Sequence, residues 1–214
     1  MFEMIPIKVC GITSLSDAEM VIDLGVSALG FIFYDKSPRS ISIEKAKSIS
    51  NNISDSVHRV GVFVNNSCDF INRAISQVSL SSIQLHGDET PKFCTHFDVP
   101  IIKALRISNK KNFQNLGEYQ VKGLLFDSSS KGVYGGSGKT FNWSLLKHFS
   151  NEIPFILSGG LNPENVKSAV NQIFPSAIDV NSGVESSPGV KDLLRIKKLI
   201  KELSSTKDTG FTFG

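Results

Sequence analysis

The sequence predicts an α/β chain folded as a single (β/α)8 TIM barrel. Eight short runs rich in Val, Ile, Leu and Phe recur along the chain, amphipathic stretches of helical period separate them, and 214 residues with 40% apolar content can build one large core. The strand runs are residues 6 to 12 (PIKVCGI), 28 to 34 (ALGFIFY), 58 to 64 (HRVGVFV), 82 to 87 (SIQLHG), 100 to 107 (PIIKALRI), 123 to 128 (GLLFDS), 154 to 160 (PFILSGG) and 177 to 183 (AIDVNSG). Helical patterns lie between them, as at 17 to 24 and 163 to 170, and a last one runs from about 191 to 203. Eight βα units in this length make a barrel at the short end of the usual range. A doubly wound open sheet is the rival, but it normally carries a glycine-rich fingerprint after its first strand, where this chain reads Cys10-Gly-Ile-Thr13. Residues 1 to 205 are assigned to the barrel, and the polar segment 206 to 214 to a flexible tail.

Composition narrows the function classes. Against 23 basic residues stand 20 acidic ones, a net charge of only +3 with scattered lysines, which is no nucleic-acid footprint. Cys10, Cys68 and Cys94 form no CxxC and are odd in number, as expected of free thiols in a reducing cytoplasm. The first residues lack the basic and apolar regions of a signal peptide, and no run is long enough to span a membrane, so a cytoplasmic location is expected. The triplets at 52 to 54 and 65 to 67 then fit the glycosylation pattern by accident.

The stretch GVYGGSGKT, residues 132 to 140, resembles a nucleotide-binding P-loop. Counting back from Gly138-Lys139-Thr140, however, the position that must be glycine is Val133, and Gly132 falls one residue early. A nest of amides around phosphate does not tolerate that slip, and Ser128-Ser-Ser-Lys131 separates the loop from its strand.

Strand alternation nominates the interior. With Ile7 and Val9 toward the helices, Lys8 and Cys10 point inward; the same reasoning places Gln84, His86, Lys103, Asp127 and Asp179 inside. Most lie near the C-terminal strand ends, where barrel enzymes hold their chemistry. Cys10 alone reads as a small buried hydrophobe, but Lys8 two residues away favours a thiolate. Asp127 alone could cap a loop, and His86 reads as a hydrogen-bonded wall residue, because no His or Cys has the spacing of a metal cluster. No metal site is expected. The endings Leu157-Ser-Gly-Gly-Leu161 and Asn181-Ser-Gly-Val-Glu185 place small residues with open backbone N–H groups after the seventh and eighth strands, the usual position of a barrel's phosphate grip, with a short helix expected after Gly183.

Together these segments resemble the phosphoribosylanthranilate isomerase family. The resemblance is carried by Lys8-Val-Cys-Gly-Ile-Thr13, Gly30-Phe-Ile-Phe-Tyr34, Lys36-Ser-Pro-Arg-Ser40, Val60-Gly-Val-Phe-Val64, Gln84-Leu-His-Gly-Asp88, Gly135-Gly-Ser-Gly138, Leu157-Ser-Gly-Gly-Leu161 and Asp179-Val-Asn-Ser-Gly-Val-Glu185. It implies a cofactor-free Amadori rearrangement of N-(5-phosphoribosyl)anthranilate in tryptophan biosynthesis, with Cys10 as general base and Asp127 as general acid. By the same resemblance Arg39 pairs with the anthranilate carboxylate, and amides at Gly159, Gly160, Ser182 and Gly183 hold the phosphate. His86 and Asp179 are wall or substrate contacts, and 132 to 140 is a lid over the site. The implied partner is a small phosphosugar, with no nucleic acid or membrane, and the chain is a monomer or homodimer. The alternatives are a related phosphosugar barrel of the tryptophan or histidine pathway, a P-loop nucleotide protein, or a barrel that binds phosphosugar without catalysis.

Overall fold

The computed structural model describes residues 4–107, 116–128, 143–146, 149 and 153–214. Eight parallel strands close in sequence order: β1 Ile7–Cys10, β2 Ala28–Phe33, β3 His58–Phe63, β4 Ser82–Leu85, β5 Ile101–Ile107, β6 Gly123–Ser128, β7 Phe155–Leu157 and β8 Ala177–Val180. The ring is sealed between β8 and β1, where Lys8 is in register with Asp179. All eight expected runs are strands, but most expected ends overshoot, because the chain leaves the ladder where the mouth loops begin. At the end of β1 the backbone turns at Gly11, whose φ of +74° is one that L side chains rarely adopt.

The helices are α1 Leu15–Asp23, α2 Ile43–Ser50, α3 Cys68–Val78, α4 Pro91–Cys94, α5 Val166–Ile173 and α6 Leu193–Leu203. Local chemistry starts most of them. Ser14, Ser42, Ser67, Thr90 and Asp192 each accept a backbone N–H of the first turn through the side-chain oxygen. Each longer helix then buries an apolar stripe, such as Ile71, Ala74 and Val78 on α3 or Ile196, Leu199 and Leu203 on α6. These stripes cover the outward strand residues, including Val9, Leu29, Phe31, Ile83, Leu124, Phe126 and Ile178, in one continuous apolar shell. The last helix begins later than the expected 191 because Glu185–Ser187 (β9) and Val190–Lys191 (β10) form an antiparallel hairpin ahead of it.

A second apolar cluster fills the lower interior: Ala28, Val60, Ile102, Ala104, Leu125, Ile156 and Ala177, closed by Phe213 from the C-terminal tail. The segment expected to fray is therefore seated beneath the barrel. Phe213 is 0% exposed, Phe211 meets it edge-on with ring centroids 5.2 Å apart, and Thr209 Oγ1 donates to the Ser176 carbonyl at 2.5 Å. The physical reason is the floor itself, where Ala28, Ala104 and Ala177 among larger apolar neighbours leave room for a ring from outside. Phe213→Ala is expected to lower stability by about 3 kcal/mol, the low end for a buried phenylalanine because a released tail recovers entropy. A thermal melt checks this, and an unchanged Tm would show that the plug contributes nothing.

Candidate active site

At the end of β1 the interior alternation places Lys8 one layer below Cys10, and both are buried. Lys8 Nζ donates to Asp179 Oδ1 at 2.7 Å, and Ser158 Oγ, just past β7, donates to Asp179 Oδ2 at 3.3 Å. The thiol fits because β2 carries Gly30 beside it: a Cβ there would lie 2.8 Å from Cys10 Sγ. Burial raises the Cys10 thiol above its ordinary range and Asp179 adds to this, while Lys8 and Lys191 act in the opposite direction. The thiolate-favouring effect of Lys8 expected from sequence is real in sign, but burial outweighs it. For Lys8 itself burial opposes the charge, yet Asp179 and Cys10 together hold its pKa above the lysine norm.

Asp127 is the next-to-last residue of β6, across the mouth from Cys10, with β7 and β8 between them on one side. Facing it is His86, just beyond β4, whose Nε2 lies 3.4 Å from Asp127 Oδ2 without forming a hydrogen bond. The other ring nitrogen, Nδ1, is 2.8 Å from Gln84 Nε2. With the amide assigned in this orientation Gln84 donates, so the ring proton belongs on Nε2 and faces the Asp127 carboxyl.

Arg39 lies in the loop after β2 and is buried, as a surface salt bridge would not be. Its fork is already engaged: Nε reaches Glu185 Oε1 and Oε2 at 3.0 and 2.9 Å, and Nη2 reaches Oε2 at 2.7 Å. Lys191 Nζ donates to Glu185 Oε1 at 2.7 Å and to the Cys10 carbonyl at 2.6 Å. Gly11 permits this approach, because a Cβ there would lie 2.9 Å from both Arg39 Cδ and Asn181 Oδ1.

After β7, Gly159 and Gly160 have φ of +85° and +68°, and after β8 residues Ser182–Val184 form one 3-10 turn. This turn contains Gly183 instead of following it. A side chain at Gly183 would collide with the Leu161 carbonyl, so the two glycine-bearing loops touch. Among the described residues no group of three His, Cys, Asp or Glu could hold a metal ion, and no described helix is long and apolar enough to cross a membrane.

One interior assignment is corrected. Lys103 shares the outward phase of β5 with Ile101 and Ile107, while Ile102 and Ala104 point inside. Its ammonium is buried outside the barrel, 2.7 Å from Glu89 Oε2 and 2.8 Å from the Gly87 carbonyl. Apolar residues occupy both phases of PIIKALRI, so the strand gives no local sign of which phase faces inward. Arg106 has the inward phase instead, in register with Asp127, and its Nη2 reaches Asp88 Oδ1 at 2.7 Å. Sequence reasoning also missed Glu185 and Lys191 as a linked pair; the only signal was a charged residue at each end of the seven-residue segment ESSPGVK, whose Pro188-Gly189 marks a turn. Residues 132 to 140, read as a lid, lie outside the described residues.

A closed parallel barrel with a thiol, an imidazole and carboxyls converging on its C-terminal mouth is a (β/α)8 enzyme equipped for acid-base chemistry. The family model for N-(5'phosphoribosyl)anthranilate (PRA) isomerase matches residues 7–202, so the chain belongs to that family. The N-(5'-phosphoribosyl)anthranilate isomerase of Geotalea uraniireducens is 43% identical over 198 residues, covering 92% of this chain and 98% of that protein. The crystal structure of phosphoribosyl anthranilate isomerase from Thermotoga maritima matches with a TM-score of 0.86 at 41% identity, over 94% of this chain and 98% of that one. A further phosphoribosyl anthranilate isomerase structure, in complex with reduced 1-(o-carboxyphenylamino)-1-deoxyribulose 5-phosphate, matches with a TM-score of 0.81 at 40% identity, over 94% and 98% of the two chains.

Proposed function

We propose that this chain isomerises N-(5'-phosphoribosyl)anthranilate to 1-(2-carboxyphenylamino)-1-deoxyribulose 5-phosphate, in tryptophan biosynthesis, with Asp127 as general acid and Cys10 as general base. The observation that carries this reading is the placement of the two groups on separate walls of one mouth, Cys10 beside the charged groups of Lys8, Asp179 and Lys191 and Asp127 beside the His86 ring. Asp127 gives its proton to the furanose ring oxygen, and the ring opens to an iminium. The Cys10 thiolate takes the proton from C2, leaving an enolamine. Tautomerisation adds a proton at C1 and releases the one on the C2 hydroxyl; return of a proton from Cys10 to Asp127 through solvent resets the pair. His86 lines the site beside the Asp127 carboxyl, and Asp179 anchors Lys8 below the thiol.

The loops after β7 and β8 supply the phosphate contacts in this reading, through amides at Gly159, Gly160, Ser182 and Gly183. No step of the reaction requires a cofactor. The protein acts in the cytoplasm on a small phosphosugar, without nucleic acid or membrane, as a monomer or homodimer. Freshly prepared phosphoribosylanthranilate mixed with the protein should lose its anthranilate-type fluorescence faster than it decays alone. No acceleration removes the proposal.

Arg39 holds the anthranilate carboxylate with the part of its guanidinium that Glu185 leaves unused, the Nη end of the group. Arg39→Ala should raise KM about 10- to 100-fold, the scale of one charge-assisted hydrogen bond, with kcat much less affected. An unchanged KM in steady-state kinetics would reassign Arg39 to the scaffold.

A further inference from the structure

The hairpin of β9 and β10 delivers two charged side chains that the chemistry above does not use. Glu185 and Lys191 are buried to 3% and 0% side-chain exposure, and Arg39 to 8%. Glu185 receives Arg39 on both oxygens, Lys191 on Oε1 and the Gly189 N–H on Oε1 at 3.3 Å. Lys191 has an acceptor for each of its three protons: Glu185 Oε1, the Cys10 carbonyl, and Asn181 Oδ1 at 3.2 Å. The hairpin is fastened to the loop and helix that follow β1, because Thr13 Oγ1 donates to the Gly189 carbonyl at 2.7 Å and the Lys191 N–H reaches Asp17 Oδ2 at 3.2 Å.

Two cations and one anion are buried here at a desolvation cost that an apolar hairpin would avoid. Their bonds run from the guanidinium of one mouth loop, through the hairpin, to the backbone that carries the thiol. We propose that Glu185 and Lys191 are positioning residues forming a bridge that holds Arg39 and Cys10 in one fixed relation, so that binding of the aromatic carboxylate places C2 at the thiol. The inference rests on the reading of Cys10 as base and Arg39 as carboxylate contact. The two links have different consequences. Glu185 sets the direction of the guanidinium, so it acts on binding. Lys191 sets the end of β1 and is one of three charged groups facing the thiol, with Lys8 on β1 and Asp179 on β8, so it also acts on the ionisation of Cys10.

Steady-state kinetics against pH test this in the whole protein, with Arg39→Ala and Cys10→Ser measured alongside. Glu185→Gln, nearly isosteric, should raise KM on the order of tenfold while kcat stays close to wild type. Lys191→Met should lower kcat on the order of tenfold and move the ascending limb of kcat/KM, on which the thiol ionises, to higher pH, since one of the two cations facing the thiol is gone. Lys191→Arg should restore the limb. Should Lys191→Met fail to fold, Lys191→Gln keeps a donor for the Cys10 carbonyl, removes the charge, and is read in the same way. Wild-type KM, kcat and limb in Glu185→Gln and the neutral Lys191 variants overturn the bridge, as does a loss of active enzyme with neither the KM effect nor the limb shift. A fully active Cys10→Ser instead overturns the base assignment on which the bridge rests, so the two failures are distinguishable.

Discussion

Cys10→Ser lowers kcat by at least ~10²-fold, and up to ~10⁴-fold, while KM changes little. The substitution keeps size and polarity, so Gly30 still leaves space beside it and the Lys191 bond to the residue 10 carbonyl survives. What is lost is a proton acceptor. A thiol ionises near pH 8.5 in water, whereas a hydroxyl does not ionise in any accessible range. In the native enzyme burial, assisted by Asp179, raises the thiol and the two lysines only partly offset it. The base form is thiolate, so kcat/KM should climb with pH into the range above an ordinary thiol, and the serine variant should lack that limb. Most of the wild-type kcat retained in Cys10→Ser would return Cys10 to the role of a small buried side chain.

Asp127→Asn is expected to have an effect of the same size, about 10²- to 10⁴-fold in kcat, for the opposite reason. The amide preserves the volume at the end of β6 and can still face His86 Nε2, but it has no carboxylic proton to give to a ring oxygen. Neither variant touches Arg39 or the loops after β7 and β8, so substrate affinity should persist in both. The losses should also fail to add in the double variant, because acid and base serve one sequence of steps. Rapid-quench or fluorescence turnover with substrate-binding titrations separates these outcomes. If Asp127→Asn turned over normally, the proton donor would have to be sought elsewhere at the mouth.

What the sequence by itself determined is whatever repeats locally. The βα alternation follows from two hydrophobic periods that can be read residue by residue, and the inward phase was legible wherever polar residues interrupt one phase only: Lys8 and Cys10 on β1, Gln84 and His86 along and just past β4, Asp179 on β8. The positions of Gly159, Gly160 and Gly183 were legible as well, since positive φ and close approach leave few other residues. Tertiary structure alone decided the rest. On β5 both phases are apolar, and closure of the ring chose Ile102 and Ala104 for the interior and put Lys103 with Glu89 outside. The tail is polar by composition, but an apolar floor with alanines at 28, 104 and 177 took up Phe213, a contact between chain ends and strands that no local period encodes. The chain also holds 23 basic and 20 acidic residues, and nothing in their order says which will meet. Ion pairing is decided by distances of a few ångströms, set when the β8 loop, the hairpin and the loop after β2 fold over the same strand end. That is why Arg39 was legible as a residue, while its clamp on Glu185 and the tie from Lys191 to Cys10 were not.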